Sequence, residues 1–152
     1  MDVRSSDYYT FQWEIIIVGE DSYNLIDYLN VPVLTLSFSK ILPVPQDLEK
    51  TEAGDEEFWW KKENWGDTFP HFSDRFLYDK KNKMYSGFIY TNDKVDKIFT
   101  ALSKKLPKSV LWVSKTYMNT DAKTKKRVMV TYNYEYKNGK SKIKSNVTDE
   151  IE

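Results

Sequence analysis

Cysteine is absent from the 152 residues, which excludes disulfide scaffolds, cysteine-ligated zinc or iron-sulfur centres and thiol nucleophiles. Histidine occurs once, at His71, so histidine-rich metal sites and Ser-His-Asp catalysis have little to build on. Glycine and proline number five each, a composition unlike that of a disordered chain. No charge dominates: 23 basic residues balance 23 acidic ones, leaving no global field to recruit nucleic acid or an anionic membrane. No stretch approaches the roughly 20 apolar residues of a membrane span, and Met1-Asp2-Val3-Arg4 lacks the charged-then-apolar run of a signal peptide. The expectation is a soluble cytoplasmic chain with no membrane partner, no metal and no cofactor.

Aromatic residues are what the chain has in quantity: 11 Tyr, 8 Phe and 5 Trp make up 16% of it. That enrichment suits half-buried strands. At roughly 100 to 200 residues per domain the length is that of one domain, large enough to fold without a metal or disulfide.

Periodicity orders the elements. Phe11 to Val18 alternates and then turns wholly apolar, as a strand entering a buried sheet does. Tyr23, Leu25, Ile26 and Leu29 share a helical face over residues 22 to 29, which Pro32 keeps from continuing. Val33 to Phe38 alternates as a second strand and exits at Pro43-Val44-Pro45. Met84 to Thr91 reads as a third strand, with Gly87 a bulge or a point of close approach. Asn92 offers an N-cap to a helix with the apolar stripe Val95, Ile98, Phe99, Leu102 and Leu106. Lys104 and Lys105 favour its C-terminal end electrostatically and Pro107 closes it. Val110 to Met118 is a fourth strand. Arg127 to Tyr136 is a fifth, with Val128, Val130, Tyr132, Tyr134 and Tyr136 on one face. Asn138-Gly139 turns the chain into Lys140 to Lys144, because a type I′ hairpin needs positive φ at both turn positions. Ser145 to Glu152 reads as a polar, frayed tail.

Strand, helix, strand, insertion, strand, helix, strand and terminal hairpin describe an α+β ferredoxin-like antiparallel sheet with two helices on one face. The name refers to topology and implies no cluster. The expected organisation is a single domain over residues 1–146, an aromatic insertion at about 43–83, a C-terminal β-hairpin extension and a polar tail at 147–152.

Three stretches carry a resemblance. Leu36-Ser37-Phe38-Ser39-Lys40-Ile41-Leu42-Pro43-Val44-Pro45, then Trp59-Trp60-Lys61-Lys62-Glu63-Asn64-Trp65-Gly66, then Ala101-Leu102-Ser103-Lys104-Lys105 together resemble the YubB ferredoxin-like domain family of plasmids, phages and related mobile elements. The motifs occur in the family's order over roughly residues 11 to 140. The chain departs from the pattern after Gly66, where Asp67-Thr68-Phe69-Pro70 replaces the family's Thr-Lys-Trp. The resemblance implies the fold and a viral or mobile-element setting, and it carries over no catalytic residue.

Two regions are candidate sites. Phe58, Trp59, Trp60, Trp65 and Phe69 cluster around Asn64 and Gly66. Large rings with polar N–H groups suit either a satellite core pinning the insertion to the sheet or an exposed recognition patch. Residues 47 to 67 carry eight acids, among them Glu56 and Glu57, against three bases. Residues 123 to 144 carry eight bases against Glu135 alone. Lys123, Lys125, Lys126, Arg127, Lys140 and Lys142, with Tyr132, Tyr134 and Tyr136, have the chemistry of a single-strand nucleic-acid site, lysines on phosphates and rings on bases. A basic edge that repels other strands explains the same lysines. Asp55, Glu56 and Glu57, or Asp67, His71 and Asp74, are the only carboxylate groupings that suggest catalysis, and acidic loops are more often just solvated.

The resulting expectation is a non-enzymatic protein-binding or structural protein of a virus or mobile element. Its partner surface is the insertion, with Glu56, Glu57, Trp59, Trp60, Asn64, Trp65 and Gly66. The alternatives are single-stranded nucleic-acid binding through the basic hairpin and incorporation into a virus particle as a minor component.

Overall fold

The computed structural model describes residues 10–49, 55–66 and 72–151. Strand β1 (Phe11–Gly19) runs up the middle of the sheet, and Trp13, Ile15 and Ile17 are buried on one of its faces. A 3₁₀ segment (Ser22–Tyr28) follows, then β2 (Leu29–Asn30), β3 (Thr35–Leu36), and two one-turn helices, α1 (Phe38–Ile41) and α2 (Gln46–Glu49). Helix α3 (Asp55–Asn64) precedes β4 (Phe72–Ser73) and β5 (Leu77–Asp79). The chain closes with β6 (Met84–Thr91), α4 (Asp96–Lys105), β7 (Ser109–Thr120), β8 (Arg127–Lys137) and β9 (Lys140–Glu150).

The main sheet has the order β4, β6, β1, β7, β8, β9, with β5 also pairing β6, and every described pairing is antiparallel. Registers such as Ile15 opposite Gly87 on one side and Val113 on the other keep the apolar set of each strand on a single face. Helix α4 lays Ile98, Phe99 and Leu102 on that face. Trp13 packs against Phe99 and donates its indole N–H to Thr91 Oγ1 at 2.9 Å, and Phe99 in turn meets Tyr136. The protein is therefore α+β, built on a mostly antiparallel sheet.

Three expectations are corrected. Residues 33–38 do not form one sheet strand: Leu34 adopts φ +60°, only Thr35–Leu36 is extended, and it pairs with β2 in a separate two-stranded ribbon. Ser37 then caps α1, accepting from Lys40 N at 3.3 Å, so Phe38 and Ile41 enter the core as the i, i+3 pair of a helix instead of as alternating strand residues. The place beside β6 is taken by β4 and β5, so the segment read as an insertion supplies two strands of the sheet. The second correction concerns Asn92. Helix α4 starts at Asp96, with Val95 at its N-cap, and Asn92 instead accepts from Thr10 N at 3.3 Å, tying down the entry to β1. The third concerns the C-terminus, where β9 continues through Ser145 to Glu150, pairing Val147 with Thr131 and Glu150 with Val128.

Gly87 is a point of close approach, since a β-carbon there would lie 2.7 Å from the Phe76 ring. The Asn138-Gly139 turn has φ +50° and +79°, and Gly139 N donates to Ser103 Oγ at 2.8 Å, docking the hairpin on α4.

Candidate interaction site

Helix α3 divides the aromatic cluster. Glu57, Trp60, Lys61 and Asn64 recur at i, i+3, i+4 and i+7, the spacing of one helical face, and all four are half-buried. Lys61 pairs with Glu57 at 3.0 Å and holds its ammonium 5.1 Å from the Trp65 ring centre. Asn64 donates from its side-chain amide to Trp60 O at 3.0 Å. Trp65 is only 4% exposed, donates from its indole N–H to Leu42 O at 2.7 Å, and meets both Trp60 and Phe38 edge to face at 6.0 Å. Gly66, at φ +77°, abuts the Lys94 carbonyl, where a β-carbon would collide with the oxygen. These contacts fasten the insertion to the core.

The outward residues are Glu56, Phe58, Trp59, Lys62 and Glu63. Trp59 is 65% exposed and Phe58 45%, and their rings pack edge to face with centres 5.1 Å apart. The result is a rigidly backed aromatic pair in solvent with carboxylates on the same side. Of the residues expected to meet a partner, Glu56 and Trp59 lie on that side, whereas Trp60, Asn64, Trp65 and Gly66 serve the attachment and Glu57 pairs with Lys61. Asp67, Phe69 and His71 lie outside the described residues, so the Asp67, His71, Asp74 grouping has no described geometry. Beside α3, a cleft of about 570 Å³ is lined by Phe11, Gly66, Lys94 and the Lys62–Asp93 ion pair, 3.1 Å long.

The basic residues do not form one patch. Lys123, Lys125, Lys126 and Arg127 are exposed at the β7–β8 turn, while Lys140 and Lys142 lie at the start of β9, across the length of the eleven-residue β8, roughly 30 Å at the rise of a strand. Because β9 runs back to Glu150, its acidic end reaches the basic turn, and Lys126 pairs with Glu150 at 3.8 Å. Lys142 and Lys144 both reach Glu135, at 3.8 and 3.5 Å.

Lys115 on β7 is a feature that local patterning does not reveal. It is 6% exposed, and its ammonium lies 5.2 to 5.8 Å from the ring centres of Phe11, Trp13, Tyr132 and Tyr134. No ion pair to it occurs among the described residues. Tyr117 and Tyr132 stack alongside with planes 9° apart. Alternation puts these residues on one face, but only the register of three strands brings them around one nitrogen. Burial pushes the Tyr117 and Tyr134 phenols up.

No described helix is long and apolar enough to cross a membrane, and no cluster of three or more potential metal ligands occurs among the described residues. Comparison of the chain with protein-family models, with curated proteins and with solved structures finds no match in any of the three.

Proposed function

We propose that this chain is a non-enzymatic protein-binding module of a virus or mobile element, and that α3 presents its contact. The observation that carries the reading is the Phe58–Trp59 pair, two large rings held in solvent by a helix whose other face is bolted to the core. Aromatic anchors of this kind supply most of the energy of protein interfaces when a partner pocket desolvates them. Glu56 and Glu63 beside them favour a pocket rimmed by basic residues. The ferredoxin-like reading of the fold is supported by the neighbour order β7, β1, β6 and β4/β5, with α4 linking β6 to β7.

The test is a photo-reactive phenylalanine analogue at position 59, and separately at Trp112 on the opposite sheet face, in cells that naturally carry the chain. A discrete protein adduct from position 59 that Phe58→Ala abolishes supports the reading. Equal labelling from both positions, or none from position 59, overturns it.

Nucleic-acid binding is a second reading, favoured by the half-buried Tyr132 and Tyr134 beside Lys115. It predicts that a fluorescent single-stranded oligonucleotide binds with steep salt dependence and that Tyr132→Ala removes the stacking contribution of about 1 to 3 kcal/mol.

A further inference from the structure

The two edges of the main sheet are finished in opposite ways. Outside β6, pairing is split between the two residues of β4 and the three of β5. Between them Phe76 sits over Gly87 and donates its backbone N–H to Leu34 O at 2.8 Å. Among the described residues that edge offers no continuous template. At the other edge, β9 is eleven residues long, contains no proline or glycine, and is exposed at every position. Among the described residues it pairs with β8 alone, which leaves one row of its backbone N–H and C=O groups facing outward.

Long bare edges invite pairing, and lysines on an edge strand ordinarily discourage it. Here the lysines are confined to one half. Lys140, Lys142 and Lys144 occupy the first half, Asp149 and Glu150 the end, and the uncharged Ser145 to Thr148 separate them. The register shift against β8 falls at the junction of the halves, opposite Asn133 and Tyr134. Ile143, 61% exposed, and Val147 add apolar surface to the middle of the strand. Such a strand repels a parallel copy of itself and attracts an antiparallel one, because only the antiparallel arrangement sets lysines against carboxylates at both ends. The internal partners of these charges, Glu135 for Lys142 and Lys144 and Lys126 for Glu150, lie at 3.5 to 3.8 Å. The Lys126–Glu150 pair is exposed on both sides and contributes little, and the half-buried Glu135 is one carboxylate shared by two exposed lysines, so the lysine half of the strand keeps a net positive charge.

We propose that β9 is a self-association edge: two copies of the chain pair through antiparallel β9 strands about a two-fold axis near Ser145, continuing the sheet from one copy into the other. The charge pattern favours this arrangement over a parallel one. The contact lies on a different element from α3 and does not depend on what α3 binds.

Sedimentation equilibrium on the full chain tests this directly. Wild-type protein is expected at twice its 18.1 kDa chain mass, dissociating as salt shortens the screening length from about 10 Å at 0.1 M to about 3 Å at 1 M. The triple variant Lys140→Glu/Lys142→Glu/Lys144→Glu and the double variant Asp149→Lys/Glu150→Lys each make the strand single-signed, so each alone is expected at the monomer mass with unchanged circular dichroism. Mixed, they are complementary and are expected to form a heterodimer. Because the chain has no cysteine, Ser145→Cys provides an independent check, expected to crosslink two copies under mild oxidation while Ser141→Cys does not. A wild-type monomer at every concentration, dimers persisting in both charge variants, a mixture that stays monomeric, or crosslinking at Ser141 would each overturn the proposal.

Discussion

The Tyr136 hydroxyl donates to Asp96 Oδ1 at 3.1 Å, joining β8 to the first turn of α4. Burial pushes the Tyr136 phenol well above its ordinary value of 10.0, and the Asp96 charge and hydrogen bond add to the shift. Below pH 10 both folded and unfolded chains keep the proton and the bond contributes fully. Above pH 10 the unfolded chain releases a proton that the folded chain holds, so stability falls as pH rises. Urea midpoints are expected to drop above about pH 10, with tyrosinate absorbance rising alongside unfolding. Tyr136→Phe should cost about 1 kcal/mol at neutral pH and make the alkaline decline shallower. An equally steep decline in that variant would assign it to other groups.

Gly66 and Gly139 both have positive φ, but different neighbours face them. A β-carbon at Gly66 meets the backbone carbonyl of Lys94, which cannot move alone, whereas at Gly139 it meets the flexible side chain of Lys104. Gly66→Ala should therefore cost more than Gly139→Ala, about 1 to 3 kcal/mol against about 1. Red-shifted tryptophan emission is expected only in the former, because Gly66 adjoins the buried Trp65. Equal losses measured by urea titration would show that φ strain alone sets the cost.

Trp59 and Trp65 lie six residues apart and have opposite fates. Trp65→Ala should destabilise by about 3 to 5 kcal/mol, the range for emptying a buried aromatic site. Trp59→Ala should stay within about 0.5 kcal/mol, as exposed positions do. Acrylamide quenching of the two variants separates the populations: losing Trp59 should lower the quenchable fraction, and losing Trp65 should not.

Much of the fold was legible in residue spacing, and the failures have specific physical causes. The face shared by Val128, Val130, Tyr132, Tyr134 and Tyr136, the apolar stripe of α4 and the Asn138-Gly139 turn follow from local pattern, and local pattern decides them. Residues 33–38 went the other way because Leu34, Leu36 and Phe38 alternate until Ser37 bonds Lys40 N and bends the chain into α1. The strand in Ser145 to Glu150 was hidden because a fully exposed edge carries no apolar period. In the site, Trp60 and Asn64 are four residues apart, the helical spacing that separates the anchoring rings from Trp59, so this division was readable once α3 is recognised. The rings around Lys115 were not, because Phe11, Lys115 and Tyr132 are distant in sequence and meet only through the pairing of β1, β7 and β8.

Lys115 gives the sharpest test of that assembled arrangement. A buried ammonium with no carboxylate partner among the described residues is expensive unless its surroundings replace the lost hydration, and here the replacements are the faces of four aromatic rings. Lys115→Met keeps the apolar stem and should cost less than about 1.5 kcal/mol. Lys115→Glu directs the wrong sign of charge at the same rings and should cost at least about 3 kcal/mol. A double-mutant cycle between Lys115→Met and Tyr132→Leu isolates the ring contribution, with a coupling of about 0.5 to 2 kcal/mol expected if the cation is held by the π-face. A coupling indistinguishable from zero would mean that the stem alone is packed and that the ammonium is stabilised by water.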